Sequence, residues 1–175
     1  MVILNNNIKF YFFWACGIIG ACIVLAGFTH TPAQAYYVTG SILLLLTAIY
    51  FKLTYFIALE MILLAGHGAI LFGIGPTLQF VLPILLCVQL LVYYLISGEL
   101  KSIFTLVGIA GISLLSIGFS FAKIWVFFLG SFAIAIFAFY NVYKGKKIAL
   151  IWGILNLIFA SVTGYLLFTN WTIYG

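Results

Sequence analysis

The chain has 175 residues, of which 67% are hydrophobic and 5% charged, and its mean hydropathy is +1.35. Soluble domains run at about 45–50% apolar and about 25% charged, so a water-soluble fold is excluded: too few polar side chains exist to cover its surface. Seven lysines against two glutamates give a net charge of +5, but the lysines are dispersed between apolar runs, which speaks for orientation in a membrane; no nucleic-acid motif is present, and no nucleic-acid partner is expected.

In lipid every backbone N–H and C=O must be paired internally, which leaves helices or a closed barrel. A barrel strand alternates apolar and polar residues. Runs such as Ile42-Leu43-Leu44-Leu45-Leu46 do not alternate, so the expected fold is all-α, a polytopic transmembrane bundle forming one domain over residues 1–175.

Seven spans are predicted. The first covers 10–28, and a connection His30-Thr31-Pro32-Ala33-Gln34 follows. The second, 37–51, is short, and six spans in total is the alternative count. Lys52 separates it from the third, 54–74. Gly75-Pro76-Thr77 turns the chain into the fourth, 78–97. Gly98-Glu99-Leu100-Lys101 leads to the fifth, 103–121. Lys123 precedes the sixth, 124–143, and Lys144-Gly145-Lys146-Lys147 separates it from the seventh, 148–168. A span needs about 20 residues, and most of these segments qualify.

With seven spans, Lys9, Lys52, Lys101, Lys144, Lys146 and Lys147 fall on one side and Lys123 on the other. Cytoplasmic loops carry the Lys/Arg excess, so the N-terminus is expected in the cytoplasm and the C-terminus outside. Tyr36, Tyr37, Trp171 and Tyr174 then meet the outer interface, where amphipathic rings are favoured. Lys9, the first apolar run and Ala33-Gln34-Ala35 also have the order of a secretory signal with a small-residue cleavage site. That run exceeds the usual 7–15 residues of a signal core, so it is read as a retained span.

Lipid removes the hydrophobic drive between helices, so small residues that permit close approach should mark the packing seams. Candidates are Gly17 and Ala21, Ala65, Ala69 and Gly73, then Gly108, Gly111 and Gly118, with Ser131 and Ala135, and Ala160 and Gly164, on the last two spans. Pro83 cannot donate to the carbonyl of Gln79, so a kink is expected there, with the freed carbonyl either lining a pathway or, more commonly, bonding a neighbouring Ser or Thr. Cys16, Cys22 and Cys87 lie in apolar runs without metal-ligand spacing and are read as small buried hydrophobes.

Glu60 is the only acid inside an apolar span. It stands two turns from Lys52, at a depth of roughly 9–12 Å by helix rise. An intramembrane charge is costly and by default marks a pathway or a site. The functional reading is a proton-titrating or cation-coordinating group; the bland one is an acid reaching the interface or pairing with Lys52. His67, seven residues on, shares its face and is either a proton relay or a histidine bonded to a neighbouring helix. Gln89 with Tyr93 on the fourth span, and Trp152 with Asn156 on the seventh, fall at a similar depth. If these faces converge, they form a polar pocket with aromatic walls.

The segment Trp152-Gly153-Ile154-Leu155-Asn156 resembles the tryptophan/asparagine stripe of vitamin-uptake transporters, and seven short spans are also the pattern of the SWEET family. The likeness covers one helix. Ala149 stands where a second tryptophan is preferred, the stripe lies on the last helix instead of the penultimate one, and the proline–glutamine pair of SWEET-related proteins is absent, so no membership follows.

The sequence has no aspartate and no arginine. A Ser-His-Asp triad is impossible, zinc lacks its second and third ligands, and His30 in a connection does not suit haem, so no enzymatic activity and no cofactor are expected. The expected function is a small transporter or channel-like protein for a solute or protons. The alternative is a non-transporting membrane subunit or assembly factor. Either would sit in the lipid bilayer, by default a bacterial inner membrane, as a homo-oligomer or beside a partner subunit. The predicted threading has a direct test: a tag at the carboxyl end should react with an impermeant reagent added outside intact cells, and protection of that tag would reverse the orientation.

Overall fold

A computed structural model describes residues 2–100 and 102–174, with side chains described for 7–100 and 102–169. Lys101 and the side chains of Trp171 and Tyr174, used above to orient the chain, lie outside the described residues. The described chain is 85% helical. Its helices are α1 (Val2–Ala26), α2 (Ala33–Tyr50), α3 (Thr54–Leu71), α4 (Pro76–Ile96), α5 (Ile103–Ser120), α6 (Ile124–Tyr143) and α7 (Leu150–Tyr174), with a 3-10 turn at Lys147–Ala149 before the last. Each of the seven is long and apolar enough to cross a membrane, and the chain is a polytopic integral membrane protein. The second span is not short. Helix α2 begins at Ala33, directly after Pro32, and reaches 18 residues.

Four of the turns between spans share one physical device. After α2, α3, α5 and α6 the chain enters the left-handed region at Lys52, Gly73, Ala122 and Gly145. The next amide then reaches back to a carbonyl of the last helical turn. Leu53 N–H donates to Ala48 at 2.9 Å, Ile74 to Ala69 at 2.9 Å, Lys123 to Gly118 at 3.0 Å and Lys146 to Asn141 at 2.9 Å. This Schellman arrangement pairs carbonyls that would otherwise be orphaned and lets consecutive spans reverse within a few residues.

Each helix packs on its chain neighbours, α7 returns to α1, and α3 touches α5 on the inner side of α4. The result is a closed ring of up-and-down helices. Phe56, Leu59, Ile62, Ile112, Ile134 and Trp152 fill its centre with almost no exposure. The outward faces are apolar as well, for example Ile42, Leu46 and Ile49 on α2 and Leu85, Val88 and Val92 on α4. These are the side chains that lipid solvates. Lys52, Lys144, Lys146 and Lys147 gather at one end of the ring, around the α2–α3 and α6–α7 turns.

Of the predicted seam glycines, Gly111 and Gly118 of α5 meet the backbone of α6, Gly17, Gly108 and Gly164 abut side chains, and Gly73 packs on nothing because it turns the chain after α3 in the left-handed region. A Cβ on Gly118 would stand 2.7 Å from the Phe127 amide, and one on Gly130 2.5 Å from the Leu115 amide, so α5 and α6 meet with nothing between them. Gly40 and Gly20 do the same for α2 and α1. The carbonyl of Gln79, which Pro83 cannot serve, accepts a hydrogen bond from Ser120 Oγ of α5 at 3.3 Å, as expected for the freed group. Of the three cysteines, only Cys87 is buried; Cys22 faces outward and Cys16 is intermediate, because a two-sided apolar helix can spend a small thiol on lipid as readily as on the core.

Gly40→Ala tests the α1–α2 seam. The added methyl would lie 2.6 Å from the Gly20 carbonyl oxygen, which belongs to backbone and cannot swing aside. The expected destabilisation is about 1–3 kcal/mol, read as a lowered thermal midpoint in detergent, whereas Gly68→Ala, where a Cβ meets nothing, should leave it unchanged.

Candidate functional site

Helix α3 carries Glu60 into the ring interior because its buried positions, Phe56, Leu59, Glu60, Ile62 and His67, follow the helical period. Glu60 is 1% exposed. It does not reach the interface or Lys52, which is exposed in the α2–α3 turn. Its partner comes from across the ring: Trp152 of α7 donates its indole Nε1–H to Glu60 Oε1 at 2.7 Å. The Ser41 side chain of α2 also interacts with the carboxyl. Glu60 Oε2 has no hydrogen-bond partner among the described residues.

The indole is held from two directions. Phe56 packs against it with ring centroids 4.6 Å apart, and Trp152 is fully buried. One turn on, Asn156 donates its side-chain amide to the Trp152 carbonyl at 3.0 Å. Trp152, Asn156, Ala160 and Thr163 are all buried, so this whole stripe of α7 faces inward.

His67 is also buried, at 3% exposure. It makes no interhelical hydrogen bond. Its ring lies against Phe119 at 4.2 Å, edge to face, and against Tyr37 at 4.8 Å, while Nδ1 has no partner among the described residues. Glu60, His67, Ser41, Tyr37 and Asn156 line one small cavity of about 20 Å³. A single water needs roughly 10–15 Å³. Glu60 and His67 stand two turns apart on one helix face, about 10.5 Å along the axis, and both line this space.

Gln89 and Tyr93 do not join them. Both are exposed on the outer face of α4, with Tyr93 48% exposed. The face of α4 turned inward is that of Pro83, Cys87, Leu90 and Tyr94. Equal depth in the bilayer placed Gln89 level with Glu60, but depth says nothing about rotation, and α4 turns this pair away. The expected convergence therefore holds for α3 and α7 and fails for α4. Ser41 and Phe119 complete the cavity from positions the sequence does not mark, and Tyr37, expected at the outer interface, is instead buried against His67 and lines the same space. Among the described residues no three His, Cys, Asp or Glu side chains meet as a metal site.

The chemistry follows from the pairing. An unpaired buried polar atom costs about 1–3 kcal/mol, and native structures keep few of them. Here two occur on one cavity. One carboxyl oxygen is anchored by the indole, and the other is left to take a proton or ligate a small cation; the imidazole nitrogen can donate or accept according to its tautomer. Comparison with family models, with curated proteins and with solved structures finds no match to this chain.

Trp152→Phe removes the donor while keeping an aromatic ring against Phe56. Glu60 Oε1 then loses its indole donor. The expected loss is about 1–2 kcal/mol, measured by unfolding in mixed micelles, and Glu60→Leu in the same background should recover part of it by removing the stranded carboxyl.

Proposed function

We propose that this chain is a small bacterial plasma-membrane transporter or channel-like protein that passes protons, or a small solute coupled to them, through the Glu60–His67 cavity. The observation that carries the reading is the pair of buried, unpartnered titratable groups, Glu60 at Oε2 and His67 at Nδ1, on one cavity inside the ring; the other unpartnered buried side-chain atoms among the described residues are the hydroxyls of Ser116 and Ser131. Intramembrane ionisable residues of this kind mark ion or proton paths. Glu60 is the titrating group and His67 the relay. Trp152 and Asn156 position the carboxyl, and no catalytic role is assigned to any residue. The cavity holds no more than about one water, which describes a closed arrangement; passage requires the ring to open on one side at a time, as alternating access does in other transporters.

The test is flux. Purified protein in vesicles loaded with a pH-sensitive dye should dissipate an imposed proton gradient, and Glu60→Gln, which keeps size and an acceptor for the indole, should reduce the rate to that of empty vesicles. His67→Phe should slow it less. Equal rates for wild type and Glu60→Gln would remove the transport reading and leave the non-transporting subunit, whose polar residues only tie helices together; that alternative requires a stoichiometric partner to copurify from native membrane.

A further inference from the structure

A larger polar hollow opens at the lysine-rich end of the ring, between α3, α4, α5 and α6, separate from the Glu60 cavity. Its volume is about 240 Å³, room for about eight waters at roughly 30 Å³ each. Drug-sized ligands occupy about 300–1,000 Å³, so the space suits a smaller metabolite. Lys144, Lys146 and Glu99 stand at its rim, and Tyr94, Ser102 and Thr105 supply polar walls.

The floor is aromatic and built. Tyr55 and Phe137 pack at 4.0 Å between ring centroids. Both sit against Gly108, where a Cβ would meet Phe137 Cγ at 2.8 Å and Tyr55 Cε2 at 2.9 Å. The Tyr55 hydroxyl donates to the Gly108 carbonyl at 2.7 Å, which fixes the ring. Phe56 completes the floor. At the rim, Lys144 Nζ lies 5.6 Å from the centroid of Tyr140, within cation–π range, and Tyr140 is stacked on Phe104 at 4.2 Å. Neither Lys144 nor Lys146 has a carboxylate partner among the described residues.

We propose that this vestibule binds a small organic carboxylate with an apolar or aromatic body. The carboxylate meets the Lys144 and Lys146 ammonium groups, and the body rests on Tyr55, Phe56 and Phe137. Two lysines against one glutamate leave the rim positive, which disfavours an organic cation. An inorganic anion would leave the aromatic floor unused. The test reads equilibrium binding without flux, so the vestibule stands or falls separately from the transport reading.

Protein in phosphatidylcholine nanodiscs is titrated calorimetrically with phenylacetate, phenethylamine and inorganic phosphate. Saturable phenylacetate binding is expected, with phenethylamine and phosphate at least tenfold weaker. Lys144→Gln combined with Lys146→Gln should weaken phenylacetate by about tenfold or more, the loss of a charge-assisted contact. Lys147→Gln, whose side chain lines a different groove, should not. All three lysines are exposed, and an unchanged thermal midpoint confirms folding of the variants. Absent phenylacetate binding, equal binding of phenethylamine or phosphate, or an unaffected double variant overturns the site. So does a lysine-dependent interaction seen only with phosphatidylglycerol nanodiscs, which would assign these lysines to lipid headgroups.

Discussion

A carboxyl group surrounded by hydrocarbon must be held by a donor or it will not stay folded inside. In this ring the donor is the Trp152 indole, and the 2.7 Å bond to Glu60 crosses from α3 to the last helix. Much else is arranged around that bond. Phe56 steadies the indole from the same helix that carries Glu60, Asn156 is tied to the backbone carbonyl of Trp152, and α7 keeps its polar stripe turned inward while its other faces meet lipid.

The bond has consequences for packing because lipid tails supply no hydrophobic force between helices. Close approach and a few interhelical hydrogen bonds must do that work. The glycine contacts of α1 with α2 and of α5 with α6 bring backbones together. Thr47 of α2 donates to the Phe13 carbonyl of α1 at 3.0 Å, Tyr55 of α3 to Gly108 of α5, and Ser120 of α5 to the carbonyl freed by Pro83 of α4. With Glu60–Trp152 joining α3 to α7, polar bonds link helices around and across the ring. The polar groups inside gather around two cavities. The first holds the lysine-rich rim and the Tyr55–Phe56–Phe137 floor, and the second, separate from it, holds Glu60 and His67 beside Phe119. Phe56 belongs to both the floor and the Trp152 contact.

Most of this architecture was legible along the chain. Hydropathy and lysine spacing agreed on seven helices, and the helix bounds differ from the expected spans chiefly where α1, α2 and α7 extend into polar flanks. The expected start at Tyr37 makes α2 short because Ala33 and Gln34 belong to the expected connection; the helix instead begins at Ala33, with Pro32 as its N-cap. Glu60 and His67 stood out as isolated ionisable residues, and the inward stripe of α7 followed from its period. Gln89 and Tyr93 did not fit, since their own helix offers apolar residues on every face and so gives no sign of which one turns inward.

What the sequence by itself determined, then, is the solvent and the elements: an apolar excess that only lipid can accommodate, and spans whose length and punctuation follow from backbone pairing and from turn residues such as Pro76 and Gly145. What the tertiary structure alone decided is the rotation of each helix and the choice of partners. An amphipathic helix in water advertises its buried face by contrast with its polar one. A helix apolar all round carries no such contrast, so the meeting of Glu60 with Trp152, the hydrogen-bond isolation of His67 and the outward turn of Gln89 rest on side-chain fit between distant segments, which the order of residues along one helix does not encode.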